Sequence, residues 1–314
     1  MTGDATVRVA VIGCGAIGSL YAAHLARAEG VEVWVVDPRA EHIDAIASGG
    51  LRVTGLADFT ATVHARTDAG DLPDCDFGLV ATKALHTRAA VAGARAALAD
   101  AAVVSLQNGL GNEEVIAELL PRVIRGSIIT AGAIIAPGVV RYDAPGDSWF
   151  GPFEPRPASM DETERLARLL TDGGLRTHAL RDARGPQWTK VVFNSATSPL
   201  SALTGLPVGP VCTDPGLRPQ VDALIAEALA VCEKTGITLT RAPAESVAEA
   251  IAEAYHHKPS MLQDVLARRE TEIDALNGGI AAEGRRVGVP TPLHDCMVAL
   301  VKGLERSWGP ESRQ

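Results

Sequence analysis

Val7-Arg-Val-Ala-Val-Ile-Gly13-Cys-Gly15-Ala-Ile-Gly18 joins a short β-branched run to glycines spaced G-x-G-x-x-G. The spacing alone is a weak signal, and its setting decides the reading. Val7–Ile12 reads as a buried strand. Ala16–Glu29 follows with Ile17, Leu20, Tyr21, His24 and Leu25 at intervals of three and four, the period of a helix. Val31–Val36 is a second apolar run, and Asp37 closes it 19 residues after Gly18. A strand, a glycine turn, a helix and an acidic strand end together form the dinucleotide-binding fingerprint. Gly13 permits the tight turn, Gly15 lets a pyrophosphate approach the backbone, and Gly18 lets helix and strand pack closely. The free N–H groups at the helix start favour phosphate. The candidate cofactor-binding residues are therefore Gly13, Cys14, Gly15, Ala16, Ile17 and Gly18. The competing reading is a tight turn in some other α/β protein.

Asp37 and Arg39 bear on which dinucleotide is bound. A carboxylate there can accept from both ribose hydroxyls and repels a 2′-phosphate, which tips the choice to NADH. Arg39 can instead grip that phosphate. Asp37 also suits a plain cap on the turn at Pro38.

Working outward, the first half keeps alternating. Glu41–Ala47 reads as a short helix, and Leu51–Thr54 with Thr60–Val63 as a strand pair. Phe77–Ala81 and Ala102–Leu106 read as buried strands around an Ala-rich helix near Leu85–Leu98. Asn112–Leu120 reads as a helix that stops at Pro121, followed by strand candidates Val123–Ile129, Gly132–Ala136 and Val139–Tyr142. This alternation predicts a mostly parallel sheet with helices on both faces. Beyond about residue 180, helical periods dominate: Gln187–Ser198, Leu217–Thr235, Ala244–His256, Met261–Arg268, Glu272–Gly284 and Pro292–Glu305. The expected fold class is α/β, a Rossmann-type doubly wound sheet over residues 1–182 and an all-helical domain over 183–314.

A chain of 314 residues is long for one core, which agrees with two domains. Its net charge of −9 and lack of a basic stripe argue against nucleic acid and anionic membrane partners. Five scattered cysteines without a C-x-x-C pair argue against a disulfide framework and a metal site. No apolar run approaches the roughly 20 residues of a membrane helix, and the N-terminal apolar run leads straight into the glycine loop. A cytoplasmic protein is expected. The cysteines read as structural, although Cys14 in the loop is expected to be open to alkylation when the cofactor is absent.

In Trp188-Thr-Lys190-Val-Val-Phe-Asn194, Lys190 and Asn194 share one helix face, about 6 Å apart at Cβ. Burying such a pair on an apolar helix is costly without a purpose. Further on come Ser260-Met-Leu-Gln-Asp264 and Thr271-Glu-Ile-Asp274 with Asn277-Gly278. Each has an ordinary reading. A lone lysine is usually solvated, Glu272 suits a surface pair with Arg268 or Arg269, and Ser260 suits a helix N-cap. Asp264, Asp274 and Asn277 read as structural.

With Gly13–Gly18, Thr82-Lys83-Ala84, Gln107-Asn108-Gly109 and Pro199-Leu-Ser-Ala-Leu203, these pieces run in order over nearly the whole chain. In this the chain resembles the ketopantoate reductase family (2-dehydropantoate 2-reductase and its relatives). The resemblance implies a Rossmann domain, a helical C-terminal domain like that of 6-phosphogluconate dehydrogenase, and an active site in the cleft between them. It implies hydride transfer from NAD(P)H to a small 2-keto acid, with NADPH the family's usual cofactor. By the same resemblance Lys190 is the proton donor and Glu272 its partner. Asn108 and Asn194 position substrate or nicotinamide, Ser260 binds the substrate carboxylate, and Lys83 lies near the cofactor. The chemistry is coherent, since an ammonium stabilises the charge that builds on a carbonyl oxygen and then protonates it.

Two positions depart from the family, where asparagine is common: Ser198 and His257, both implied to belong to the substrate pocket. Losing two amides changes what that pocket can hydrogen-bond. His257 can instead read an acidic group, or simply end a helix with His256. Ketopantoate is the leading substrate, with a different 2-keto or 2-hydroxy acid as the alternative. An opine- or imine-type reductase and a non-catalytic dinucleotide sensor are the rivals. The long C-terminal helices are compatible with a homodimer.

Overall fold

A computed structural model describes residues 6–309. The chain divides into two compact units. One comprises the residues up to Gln107 together with Asn112–Ala183, and the other comprises Asn108–Gly111 together with the chain from Arg184 on.

The first unit contains strands β1 (Val7–Ile12), β2 (Val31–Val36), β3 (Leu51–Gly55), β4 (Phe59–Ala61), β5 (His64–Arg66), β6 (Phe77–Val80), β7 (Ala102–Ser105), β8 (Val123–Ile128), β9 (Ala131–Ala136), β10 (Val139–Ala144), β11 (Ser148–Pro152) and β12 (Thr177–Ala179). Its helices are α1 (Ala16–Leu25), α2 (Ala40–Gly49), α3 (Thr87–Gly93), α4 (Asn112–Ala117) and α5 (Met160–Asp172). Eight strands form one sheet in the order β12-β11-β8-β7-β6-β1-β2-β5. Every neighbouring pair in it is parallel except β8 with β11. The period-two alternation of β1 explains why both faces are covered. Val9 and Val11 point into one core with Leu20, Tyr21 and Leu25 of α1. Ala10 and Ile12 point into the other with Val91 of α3 and Ile116 of α4. The architecture is a Rossmann-type doubly wound sheet, and its strand order reverses direction between β1 and β6. Ligands of such sheets bind at that switch, beyond the carboxyl ends of the strands.

The expected pair β3/β4 does not stand alone. β10 joins β3 in parallel and β9 flanks β10, giving a second sheet in the order β4-β3-β10-β9. Four strands and α-helices of this unit went unread: β5, β11 and β12, which are short, and α5. That helix opens on a capping box in which the Ser159 side chain and Glu162 exchange bonds with each other's backbone. The helix expected near Leu85–Leu98 is only a 3₁₀ turn at Ala84–His86 and the seven-residue α3. α1 stops at Leu25 and not at Glu29.

The second unit contains α6 (Arg184–Thr204), α7 (Val208–Thr213), α8 (Arg218–Thr235), α9 (Pro243–Glu253), α10 (Ser260–Leu266), α11 (Ile273–Val287) and α12 (Pro292–Ser307) around a core that includes Trp188, Val192, Leu224, Ile280 and Val301. α6 runs six residues past its expected end at Ser198, straight through Pro199. A proline there leaves the Ser195 carbonyl without its helical donor. The Asn277 amide of α11 supplies one, donating to Ser195 O at 2.8 Å. Asn277 is fully buried and serves α6 in this way. Asp264 pairs with Arg269 at 3.0 Å and Asp274 with Lys302 at 2.7 Å. Among the described residues, no helix is long and apolar enough to cross a membrane.

Candidate active site

The glycine loop has the shape a dinucleotide needs. Gly13 sits at φ +95°, a left-handed value that suits glycine, and a Cβ there would lie 2.7 Å from the Thr82 backbone nitrogen. It therefore nestles at the switch point, against the loop that follows β6. A Cβ on Gly18 would collide with the Gly13 carbonyl oxygen, whereas a Cβ on Gly15 would meet nothing within 4 Å. Gly15, Ala16 and Ile17 are partly exposed. Gly15 is the N-cap of α1, with no side-chain cap and no acidic residue in the first turn. Open space, uncapped N–H groups and no competing anion fit a pyrophosphate. Lys83 is half-buried and opens the 3₁₀ turn after β6.

Asp37 is not open in the way the strand-end position suggests. Its carboxylate accepts from Cys14 N–H (2.9 Å), from Arg39 N–H (3.0 Å), and from Arg39 Nε and Nη2 (2.8 and 3.0 Å). Arg39 Nη2 also donates to the Cys14 carbonyl at 2.9 Å. Burial pushes the Asp37 pKa up, but the Arg39 guanidinium and the backbone donors outweigh that and hold it below the usual carboxylate range. The carboxylate stays ionised and neutralised. The group with half its side chain exposed is Arg39, not Asp37.

Cys14 does not meet the expectation of easy alkylation. It is fully buried, its Sγ lies 3.3 Å from Ser19 Oγ, and burial pushes its thiol up to about 12. A reactive thiol needs both access and thiolate, and this one has neither. Cys296 is the exposed cysteine.

In the second unit, Lys190 of α6 donates to Asn108 Oδ1 at 2.7 Å, and Asn108 Nδ2 donates to Glu272 Oε2 at 3.1 Å. Three residues more than 160 positions apart at the extremes thus form one chain of charge and amide. Glu272 is the N-cap of α11 through its backbone, with its side chain turned to Asn108 and not to a cap. Arg269, a partner that an ordinary surface pair would use, is engaged by Asp264.

The loop carrying Asn108 is fixed to α11. Gly109 adopts φ +89°, and a Cβ on it would come within 2.5 Å of the Ala275 carbonyl oxygen. Leu110 N–H donates to that same oxygen at 2.8 Å, and Gln187 of α6 reaches the Gly109 carbonyl at 3.4 Å. Desolvation pushes the Lys190 pKa down to about 8, with the Glu272 carboxylate opposing the shift. An ammonium that is largely charged at pH 7 yet gives up its proton readily is matched to general acid work.

The remaining candidates are not hydrogen-bonded to this group among the described residues. Asn194 lies one turn beyond Lys190, half-buried, and Ser198 one turn further, fully buried. Ser260 is exposed as the first residue of α10, and Pro259, not Ser260, is the N-cap. His257 is exposed in the turn after α9, which ends at Glu253, so it does not complement that helix's dipole. Desolvation lowers its pKa, which works against a cationic reading of an acidic group at neutral pH. One residue quoted only as part of a motif has a definite task. Gln107 is buried and donates to Thr82 O at 2.9 Å and to Thr87 Oγ1 at 2.7 Å, tying the end of β7 to the loop after β6.

Comparison with known proteins agrees with these features. Residues 9–155 match the ketopantoate reductase PanE/ApbA family, and residues 182–305 match the ketopantoate reductase PanE/ApbA C-terminal family. A 2-dehydropantoate 2-reductase of Pyrococcus horikoshii is 32% identical over 306 residues, covering 96% of this chain and 99% of that protein. The crystal structure of a PanE/ApbA family ketopantoate reductase from Ralstonia eutropha JMP134 superposes with a TM-score of 0.86 at 30% identity, covering 96% of this chain and 99% of that one. A D-mandelate dehydrogenase in complex with NADH superposes with a TM-score of 0.84 at 25% identity and the same coverage. The chain belongs to the ketopantoate reductase family of NAD(P)-dependent oxidoreductases.

Proposed function

We propose that the chain reduces the carbonyl of a small 2-keto acid, with ketopantoate to pantoate as the leading reaction. The observation that carries this is the Lys190–Asn108–Glu272 chain, with the Lys190 pKa near 8. When bound, the cofactor supplies the hydride that adds to the keto carbon. Lys190 stabilises the negative charge growing on the carbonyl oxygen and delivers its proton there. Asn108 holds one ammonium N–H and keeps the group aimed, while Glu272 orients Asn108 and accepts from the product hydroxyl. The Asn194 amide and the Ser260 hydroxyl bind substrate oxygens without adding charge. Ser198 and His257 shape the substrate pocket, and Lys83 faces the cofactor. Residues 1–182 serve as the dinucleotide domain and 183–314 as the catalytic domain, with the Asn108 loop working for the latter.

NADPH is the preferred cofactor on this reading. With its lone pairs taken by Arg39 and Cys14, Asp37 neither repels a 2′-phosphate nor offers itself to a ribose hydroxyl. It instead holds a guanidinium at the surface, and a fork of N–H donors suits phosphate. Arg39→Ala is expected to cut kcat/KM for NADPH by at least ~10-fold while changing that for NADH little. Equal losses, or a wild-type preference for NADH, would return Asp37 to the ribose.

The Lys190 pKa gives a pH signature. The acid must be charged, so kcat/KM for reduction is level below about pH 8 and falls as pH rises through it. Oxidation of the hydroxy acid needs the neutral amine and rises through the same pH. Steady-state profiles in both directions check this, and a reduction rate level to pH 10 contradicts it.

Ser198 and His257 favour a second reading, turnover of a different 2-keto or 2-hydroxy acid. Measured turnover of a panel of 2-keto acids with NADPH and NADH decides. Ketopantoate best by orders of magnitude supports the first reading, and another acid best supports the second. Amine consumption would point to an opine- or imine-type reductase, and binding with no turnover to a sensor.

A further inference from the structure

Beneath the glycine loop lies a buried hydrogen-bonded chain that none of the roles above uses. His42 of α2 is 4% exposed and Ser19 of α1 is fully buried. Gly138, in the turn between β9 and β10, donates its N–H to His42 Nδ1 at 3.0 Å. That makes Nδ1 an acceptor, so the neutral ring carries its proton on Nε2. Nε2 faces Ser19 Oγ at 3.5 Å, the long end for such a bond. Ser19 Oγ donates in turn to the Cys14 carbonyl at 3.1 Å. Arg39 takes the same carbonyl, and Asp37 takes the Cys14 N–H. Both peptide groups between the first two glycines are thus held, one through the Cys14 N–H and the other through the Cys14 carbonyl. The direction of donation in the chain below them is set by a backbone N–H of the turn between β9 and β10.

We propose that His42 is a positioning residue for the dinucleotide loop. By accepting from Gly138 and donating toward Ser19, it fixes the Cys14–Gly15 peptide through the Cys14 carbonyl so that the loop meets the pyrophosphate without rearranging. The idea rests on the dinucleotide reading of that loop. A loop that must be ordered on binding costs affinity, so the effect falls on cofactor Kd and not on the chemical step.

The test is a fluorescence titration of the full chain with NADPH, with thermal unfolding of the cofactor-free protein measured alongside. His42→Ala is expected to raise Kd about fivefold or more, the loss of one to two buried hydrogen bonds, with kcat at saturating NADPH within about twofold of wild type. His42→Gln is expected to recover most of the affinity, because a carboxamide again offers one acceptor and one donor. Ser19→Ala should weaken Kd in the same direction, and the double variant should not be the sum of the two. An unchanged Kd with a lowered Tm makes His42 merely structural and overturns the proposal, as does a glutamine variant no better than alanine. If His42→Ala does not fold, Ser19→Ala decides alone, and wild-type affinity there overturns it. Wild-type protein that binds neither NADPH nor NADH removes the dinucleotide reading and this proposal with it. Wild-type binding with unchanged affinity in the variants removes this proposal only.

Discussion

Lys190→Ala is expected to lower kcat for keto acid reduction by at least ~10²-fold, while NADPH binding survives. General acids typically contribute 10²–10⁴-fold, and in the proposed mechanism the same ammonium also stabilises charge on the carbonyl oxygen. The magnitude follows from where the side chain lies. Desolvation has already pushed its pKa down to about 8 even with Glu272 nearby, so its charge is poorly screened by water and acts strongly on a neighbouring oxygen. Removing it also takes away the 2.7 Å donor to Asn108 Oδ1 and a positive charge that interacts with Glu272. A substrate carboxylate would then meet net negative charge, and KM should rise as well. Lys190→Arg should not restore kcat, because a guanidinium of pKa above 12 is a poor acid at neutral pH. The groups proposed to hold the dinucleotide, the glycine loop with Asp37 and Arg39, do not include Lys190, so NADPH affinity is the control. A kcat equal to wild type removes Lys190 from the mechanism.

The second large effect is expected at Gly18. A methyl group on Gly18 would collide with the Gly13 carbonyl oxygen, a backbone atom that cannot swing aside. Either α1 shifts away from β1 or the loop loses its shape. Overpacking of this kind typically costs about 1–3 kcal/mol, and the residues involved are the ones proposed to meet the pyrophosphate. Gly18→Ala should therefore lower Tm and weaken NADPH by more than ~10-fold together. Gly15→Ala is the contrasting case. Its Cβ would meet nothing within 4 Å, so Tm should stay near wild type while NADPH still weakens, because the new methyl occupies space the cofactor needs. Measured Tm and NADPH Kd for both variants check the argument. A Gly18→Ala protein with wild-type values for both would mean the loop is not the cofactor cradle.

The elements read well from sequence were those with strong, local signals. β1 and β2 fall at the expected residues because a short Val-rich run bounded by glycine or aspartate has few alternatives. α8 and α12 matched within a residue or two because their apolar stripes are long. β5, β11 and β12 were missed because three to five residues carry little pattern, and such strands form only when an existing sheet edge supplies their hydrogen bonds. The run near Leu85–Leu98 misled in the opposite direction. Alanine has high helix propensity, but its small side chain gives little apolar surface with which to hold a long helix against a sheet. Pro199 looked like a helix end, since nothing near it announces that a side chain from α11 will supply the missing donor.

The sequence by itself determined the class of fold and where the glycine turn and the proposed site residues lie along the chain, because glycine spacing and hydrophobic period are local properties. Tertiary structure alone decided which of those residues act as a unit. Asn108 is far in sequence from both Lys190 and Glu272, and only the packing of its loop onto α11 makes it the bridge between them. The same holds for charge. Asp37 and Arg39 are two positions apart and compete for a single reading in the sequence, whereas in the folded chain one neutralises and aims the other. The pKa of Lys190 is likewise set by desolvation, which arises from the atoms packed around it.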